Sequence, residues 1–334
     1  MLLSSALAFI VGFAIQRGSL CCVVAARQIV EHRRQHRIKA FLLVACWSAV
    51  VVLPLAWWLP EHVKLSPGYP VSLRTVIAAF VYSVGAYLNA ACAFGTLSGL
   101  TRGEVGFLAT IAGMIAGAIL AVTIQPAAVD ASMLTGSLLA EPAWPAFVLW
   151  CLALILVVRA MLCHYRVSRN RISPWRELLN AAHWRPAPAM AILGVAGGLL
   201  YASAGEWTYL SVLSDRSAGL VHAGDARVGA GALIVCAALM TGGVLAAWLS
   251  GRFAWQRAAR GMLLRRFAGG AFMSAAAAIL PGGNDTLLLY GLPSAAPYAI
   301  VGYTVMILSL CALMQVMRWL RPIIIRPVTV GKDG

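Results

Sequence analysis

Three short stretches place reactive or polar side chains where the surrounding sequence is almost wholly apolar. The first is Gly12-Phe13-Ala14-Ile15-Gln16-Arg17-Gly18-Ser19-Leu20-Cys21-Cys22; residues 1–16 carry no charge, and apolar character resumes after Arg17 and runs to Ala26. An arginine near a bilayer centre costs roughly 2.5–3.5 kcal/mol even on lenient insertion scales, so such a group is kept for a use. A cation beside soft, polarisable sulfur suits a guest that is negatively charged and contains sulfur. The second stretch is Asn89-Ala90-Ala91-Cys92-Ala93-Phe94-Gly95-Thr96, and the third is Leu280-Pro281-Gly282-Gly283-Asn284-Asp285-Thr286. The candidate pathway residues are therefore Gln16, Arg17, Cys21, Cys92, Gly95, Gly283, Asn284 and Asp285.

A buried thiol stays neutral and offers a weak S–H donor, so it can hold a soft anion briefly without repelling it. Gln16 and Asn284 can donate amide N–H groups. Arg17 either attracts the anion or pairs with Glu104 or Asp285 as structural glue; both readings stand at this point. Cys22 is a spare thiol. The bland alternative for any buried cysteine is a small hydrophobe. It is the expected role of Cys46, Cys151, Cys163, Cys236 and Cys311.

The elements that must position these groups follow from composition. The chain has 334 residues, 61% of them apolar and only 11% charged, against about 25% charged in soluble domains. Charge-free stretches of the length needed to cross a bilayer recur along it, and the period of two expected of a membrane β-barrel is absent. The expected fold is an all-α polytopic membrane protein with about nine transmembrane helices. The spans read as 1–26, 40–60, 75–96, 104–124, 144–162, 188–208, 229–250, 268–289 and 297–317. Residues 1–26 lack the basic leader of a signal peptide and read as a retained span.

The net charge of +15 is not a nucleic-acid signal. Twenty of the 26 Lys and Arg residues fall in four blocks, 27–39, 159–187, 252–266 and 318–332, as the positive-inside rule arranges them. No nucleic-acid motif accompanies them, and no nucleic acid is expected as a partner. With those blocks on the cytoplasmic side, nine spans put the N-terminus outside and the C-terminus inside a bacterial inner membrane. Outer loops 61–74, 125–143 and 209–227 then hold most of the remaining acids, and Glu206 faces the outer mouth. The eight cysteines and six histidines show no metal-ligand spacing, so neither a metal nor a cofactor is expected. The eleven tryptophans fit interfacial belts.

The two halves echo each other. Gly85-Ala86-Tyr87-Leu88-Asn89-Ala90-Ala91-Cys92-Ala93 resembles Gly270-Ala271-Phe272-Met273-Ser274-Ala275-Ala276-Ala277-Ala278, and Gly12-Phe13-Ala14-Ile15 aligns with Gly197-Gly198-Leu199-Leu200. In the topology above the matching spans run in opposite directions. The chain thus divides into a first repeat, 1–143, a linker span with its basic loop, 144–187, and an inverted second repeat, 188–334. Inverted repeats around a midplane site are a common transporter plan. Two interrupted helices are expected, over Asn89–Glu104 and over Leu280–Thr286 with a second break at Gly291-Leu292-Pro293. Freed backbone groups survive at membrane depth only in protein or beside a wet cavity. Thr101-Arg102-Gly103-Glu104 reads better as an interfacial loop.

These residues resemble the YeeE/YedE (sulfur transport domain) family of membrane proteins. The resemblance rests on Gly12-Phe13-x-x-Gln16-Arg17-Gly18-x-x-Cys21 with Arg27 following, on Cys92-Ala93-x-Gly95-Thr96 with Arg102-Gly103-Glu104, and on Gly269-Gly270-x-x-Met273 leading into Gly282-Gly283. It implies nine spans with short inward-dipping helices and a thiosulfate-uptake activity in which three cysteines hand the anion inward. Cys21 and Cys92 take two of those places. The third, a cysteine after two glycines in the family, falls on Gly283 or Asn284, neither of which is a cysteine. The expected function is an inner-membrane permease for thiosulfate or a related small sulfur-containing anion, without enzymatic activity. No phosphate-binding loop for ATP is present. Two alternatives remain. One is a membrane sulfurtransferase carrying a persulfide on Cys21 or Cys92, and the other a non-transporting subunit for a cytoplasmic sulfur carrier or sulfurtransferase.

Overall fold

Long apolar runs in lipid must satisfy every backbone N–H and C=O internally, so they fold as helices wherever glycine, proline or a polar cluster does not intervene. In the computed structural model this yields α1 (Leu2–Gly18), α2 (Cys22–His32), α3 (His36–Trp58), α4 (Leu73–Asn89), α5 (Ala93–Thr101) and α6 (Phe107–Ile124). They are followed by α7 (Trp144–Ser168), α8 (Pro186–Ala204), α9 (Ala230–Leu249), α10 (Arg260–Ile279), α11 (Gly283–Thr286) with a π-helical turn (Leu287–Gly291), and α12 (Pro297–Ile324). The structure describes residues 1–124, 137, 139, 141–168, 181, 183–205, 207–213, 229–280 and 282–324. Glu206 and Pro281, both singled out in the sequence, lie outside them, as do much of the 125–143 and 209–227 loops.

Among the described residues, nine helical segments are long and apolar enough to cross a membrane, as the composition requires. Three of those segments contain an interruption. The break expected after Asn89 is a left-handed Ala90 (φ 59°) between α4 and α5. The break expected near 281 is flanked by Gly282 (φ 79°) and Gly283 (φ 81°), and it follows the end of span α10. The sequence reading treated residues 1–26 as one uninterrupted span; instead Ser19 (φ 50°) ends α1, and Cys21 caps a separate helix, α2. Gly205 (φ 73°) likewise ends α8 before a short helical stretch, 209–213.

Small residues let the helices approach to backbone contact. A Cβ on Gly85 of α4 would lie 2.7 Å from the carbonyl oxygen of Gly269 on α10, and one on Gly269 would lie 2.7 Å from the carbonyl oxygen of Gly85. Gly12 of α1 meets the Leu239 carbonyl of α9 in the same way, and Gly113 and Gly117 of α6 meet the carbonyls of Phe267 and Ala271 on α10. The main packing pairs are α1 with α8 and α9, α3 with α8, α4 with α10 and α12, and α6 with α10. Among the described residues helix α7 packs mainly on α3 and α8 and exposes Phe147, Val148, Leu152 and Ile155, as a lipid-facing span must. Trp58, Trp144, Trp248 and Trp319 are exposed at or near helix ends, where the interfacial belts of a membrane protein lie.

Candidate functional site

Ending α1 at Ser19 instead of continuing it to residue 26 turns the chain so that Cys21 becomes the cap of α2 and Cys22 its first residue. Cys92 caps α5 in the same way. The two helix starts face each other. The Cys92 S–H points to Cys21 Sγ at 3.7 Å, and the backbone N–H of Cys22 donates to Cys92 Sγ at 3.4 Å. All three cysteines are buried. The positive ends of two helix dipoles therefore converge on a neutral thiol pair. Gly95 leaves room for it, since a Cβ there would sit 2.7 Å from Cys21 Sγ.

Gln16 and Arg17 flank this pair on α1. The Gln16 Oε1 accepts hydrogen bonds from Ser98 Oγ at 2.6 Å and from Thr101 Oγ1 at 3.3 Å, while its Nε2 donors find no partner among the described residues. The side chain thus ties α1 to α5 and turns its N–H groups elsewhere. Arg17 is only 1% exposed. Its guanidinium donates to the carbonyl of Ala181 and lies 5.3 Å from the Phe13 ring centroid. The pairing expected with Glu104 is not made: that carboxylate takes Arg102 at 2.7 Å and Arg266 at 3.3 Å. Arg102 is two residues from Glu104 in the same turn, and Arg266 is carried in by the close packing of α6 on α10. Among the described ion pairs Asp285 does not take Arg17 either.

The second broken helix joins the same seam through two tyrosines that the sequence reading missed. Tyr82 of α4 donates its hydroxyl to Asn284 Oδ1 at 2.7 Å. Tyr209 donates to the Ala93 carbonyl, in the first turn of α5, at 2.8 Å. Both rings lie in electrostatic range of Cys92 on one side and Asp285 on the other. The structure thus brings Cys21, Cys92, Gly95, Asn284 and Asp285 into one buried region. Positions 283 and 284 differ in backbone. Gly283 has a left-handed φ of 81°, and a Cβ there would meet Tyr82 Cε2 at 3.0 Å, so residue 284 is the first that can present a side chain. No sequence spacing marks Tyr82 or Tyr209; each is one of nine tyrosines in apolar surroundings.

Polar atoms without partners concentrate here. Among the described residues Asn284 Nδ2, Asp285 Oδ1, Thr286 Oγ1 and Ser274 Oγ are buried with no hydrogen-bond partner, as is the Tyr303 hydroxyl, which lies in electrostatic range of Cys22 and Cys92. Native proteins leave few such groups, and a cluster of them marks a place prepared for something that is not protein.

On the other side of the thiols an open cavity of about 220 Å³ reaches Cys21, lined also by Ser19, Arg37, Phe41, His183 and Trp184. Arg37 donates to the Ser19 carbonyl at 2.9 Å, and His183 Nδ1 lies 2.9 Å from Ser19 Oγ and 3.2 Å from Arg252 Nη1. An arginine can only donate, so Nδ1 accepts and the ring proton sits on Nε2. Burial first, then Arg252, Arg37, Arg102 and Arg17, hold the His183 ring below its ordinary value of 6.5. At neutral pH the cavity wall is therefore a neutral imidazole among arginines. The unfolded chain takes up this proton at higher pH than the folded chain, so the contribution to stability falls as pH drops below 6.5. An NMR titration of the imidazole in detergent-solubilised protein should give a midpoint below that of free histidine; a midpoint at or above it would contradict the arrangement.

The remaining cysteines, Cys46, Cys151, Cys163, Cys236 and Cys311, are half-buried or exposed, and Cys236 lies in electrostatic range of Tyr209. Comparison with known families matches the chain to the sulphur transport family over residues 17–312. No individual curated protein matches it.

Proposed function

The chain belongs to the sulphur transport family, and from that premise we propose that it is an uptake permease for thiosulfate or a related small sulfur-containing anion. The observation that carries this reading is the Cys21–Cys92 pair, 3.7 Å apart where two helix starts meet. A bare anion cannot enter hydrocarbon without donors to replace its water. The thiols, the unpartnered N–H groups of Gln16 and Asn284 and the Thr286 hydroxyl supply them. None is a fixed positive charge, so the guest is held weakly enough to leave, as conduction requires. Arg37 lines the open cavity that Cys21 also lines, with Arg252 against His183 of the same wall, and these charges draw the anion onward.

The chain is two inverted repeats about a linker span, α7. Packing supports this: exchanging the first four spans with the last four turns α1–α9 into α8–α3 and α4–α12 into α10–α6, and leaves α1–α8 and α4–α10 in place. The cavity end, with its arginines, faces the cytoplasm of a bacterial inner membrane, and the N-terminus faces outward. The protein acts without catalysis. A persulfide-carrying sulfurtransferase needs an activated thiolate, and no imidazole hydrogen-bonds to either thiol among the described residues. A scaffold for a cytoplasmic sulfur carrier needs no buried polar seam.

Purified protein in proteoliposomes should carry labelled thiosulfate inward, with sulfite, sulfate and selenite compared side by side. Thiosulfate is expected to be fastest and sulfate, which lacks a soft sulfur terminus, slowest. A chain that carries none of the four, yet copurifies with a cytoplasmic partner, would be a scaffold.

A further inference from the structure

A carboxyl group in the path of an anion needs its own explanation. Asp285 is 4% exposed, and its Oδ1 has no hydrogen-bond partner among the described residues. The ion pairs formed among the described residues do not include it. The elements packed on α11 are the π-turn, α10 and α5. The π-turn brings Tyr290, whose hydroxyl donates to the Leu65 carbonyl. Helix α10 carries its arginines in its first two turns, at 260, 265 and 266, with Arg266 held on Glu104. Helix α5 brings Cys92 at its cap.

Among the described residues, Tyr82 and Tyr209 are titratable groups in electrostatic range of Asp285. Both have committed their hydroxyl protons, to Asn284 Oδ1 and to the Ala93 carbonyl. What each phenol has left is oxygen lone pairs. An ionised carboxylate here would be buried with backbone N–H groups of its own turn as donors but with no cation among the described ion pairs, and it would repel the anion that Asn284 Nδ2 and Thr286 Oγ1 on the same turn are placed to receive. A protonated carboxyl removes the repulsion.

We propose that Asp285 is a proton-binding site that must be loaded for the anion to pass, which makes the protein a proton–anion symporter. The proposal rests on the transport reading above and adds the coupling ion to it. Proton and anion each raise the other's affinity, by the reciprocity of linked binding. When the anion moves on toward the arginine-lined cavity the proton is free to leave, and the ionised carboxylate rejects a second anion until it is reloaded.

The test uses the full chain in proteoliposomes with labelled thiosulfate. Making the outside one pH unit more acidic should raise accumulation about tenfold for one proton per anion, and a protonophore should remove the gain. In Asp285→Asn the ratio of uptake with and without the gradient should fall to about one, whatever the absolute rate. Wild-type uptake that ignores the pH gradient, or follows a sodium gradient in its place, overturns the proposal; so does an Asn variant that still responds. If the variant carries no flux, infrared spectroscopy of the wild type decides. A protonated-carboxyl band at neutral pH that is missing from the variant supports the site, and its absence from the wild type overturns it. Absence of flux from the wild type at any pH, with that band present, sinks the transport reading and leaves the proton site standing.

Discussion

Cys92→Ala is expected to lower thiosulfate uptake by roughly 10- to 100-fold while the protein remains folded. Cys92 is fully buried, so its loss is not offset by solvent. Its sulfur accepts the Cys22 N–H at 3.4 Å and its S–H points to Cys21 at 3.7 Å. Alanine removes both and leaves a backbone donor at the start of α2 without a partner. Each unsatisfied buried group costs about 1–3 kcal/mol, which is the stated factor when it falls on the passage of the anion. Packing suffers little, because alanine is smaller and its neighbours in α5 are Ala93 and Phe94. Cys92→Ser separates two causes: the hydroxyl restores a donor but not a polarisable sulfur, so partial recovery argues for hydrogen bonding and none for sulfur contact. Cys46→Ala and Cys311→Ala, outside the seam, should leave uptake within about twofold. Uptake that is unchanged in Cys92→Ala would remove the thiol pair from the mechanism. A sulfur mass addition on intact Cys21 or Cys92 after thiosulfate would favour the sulfurtransferase in its place.

The span count and the break at Ala90 were legible because hydropathy and the Gly, Pro and polar interruptions act locally. The break at Ser19 was not. Gly18-Ser19 is a weak breaker in an apolar run, and the left-handed Ser19 is held from outside α1: Arg37 of α3 donates to its carbonyl, and His183 lies against its hydroxyl. Neither contact leaves a trace in the local sequence. The candidate residues themselves were visible by type, since polarity at membrane depth is costly. Their partners were not. Gln16 could be expected to donate, but that its oxygen would be taken by Ser98 and Thr101 follows only from α1 crossing α5. Arg17 illustrates the same limit: the sequence leaves it to attract the anion or to pair with Glu104 or Asp285. Packing of α6 on α10 delivered Arg266 to Glu104 first. Tyr82 meets Asn284 across 202 residues of chain, a separation over which no spacing rule operates.

The seam also has a polarity that composition alone hid. Asn284, Asp285 and Thr286 gather unpartnered donors and one acceptor without a described cation, whereas the cavity at Cys21 is lined by Arg37 and by His183, against which Arg252 lies. An anion would therefore move from weak neutral donors toward fixed positive charge, with the thiols between. The proposed direction of uptake and the expected placement of the basic loops would then share one physical cause, since the same arginines would set topology and receive the guest.

Gly85→Leu is expected to abolish folded protein altogether. The crossing of α4 and α10 is a backbone-to-backbone approach, and it is symmetric: Gly85 faces the Gly269 carbonyl and Gly269 faces the Gly85 carbonyl. A Cβ alone at position 85 would lie 2.7 Å from that oxygen and 2.8 Å from the Met273 backbone nitrogen. Both obstacles are backbone inside helices and cannot swing away as a side chain would. Leucine adds three further carbons, and overpacking of this kind costs about 1–3 kcal/mol even where neighbours can adjust. Here the helices must separate, and Asn89, Cys92 and the start of α5 move with α4, so the thiol pair would be lost together with the fold. Fluorescence-detected size exclusion of the variant in detergent should show aggregate or no peak. Gly85→Ala should give a less stable but recoverable protein. Gly261→Leu, where nothing lies within 4 Å of the added carbon, should elute as wild type. A monodisperse Gly85→Leu protein with unchanged thermal stability would mean that α4 and α10 do not meet backbone to backbone. The registration of Cys92 against Asn284 would then have to be set by something other than this crossing.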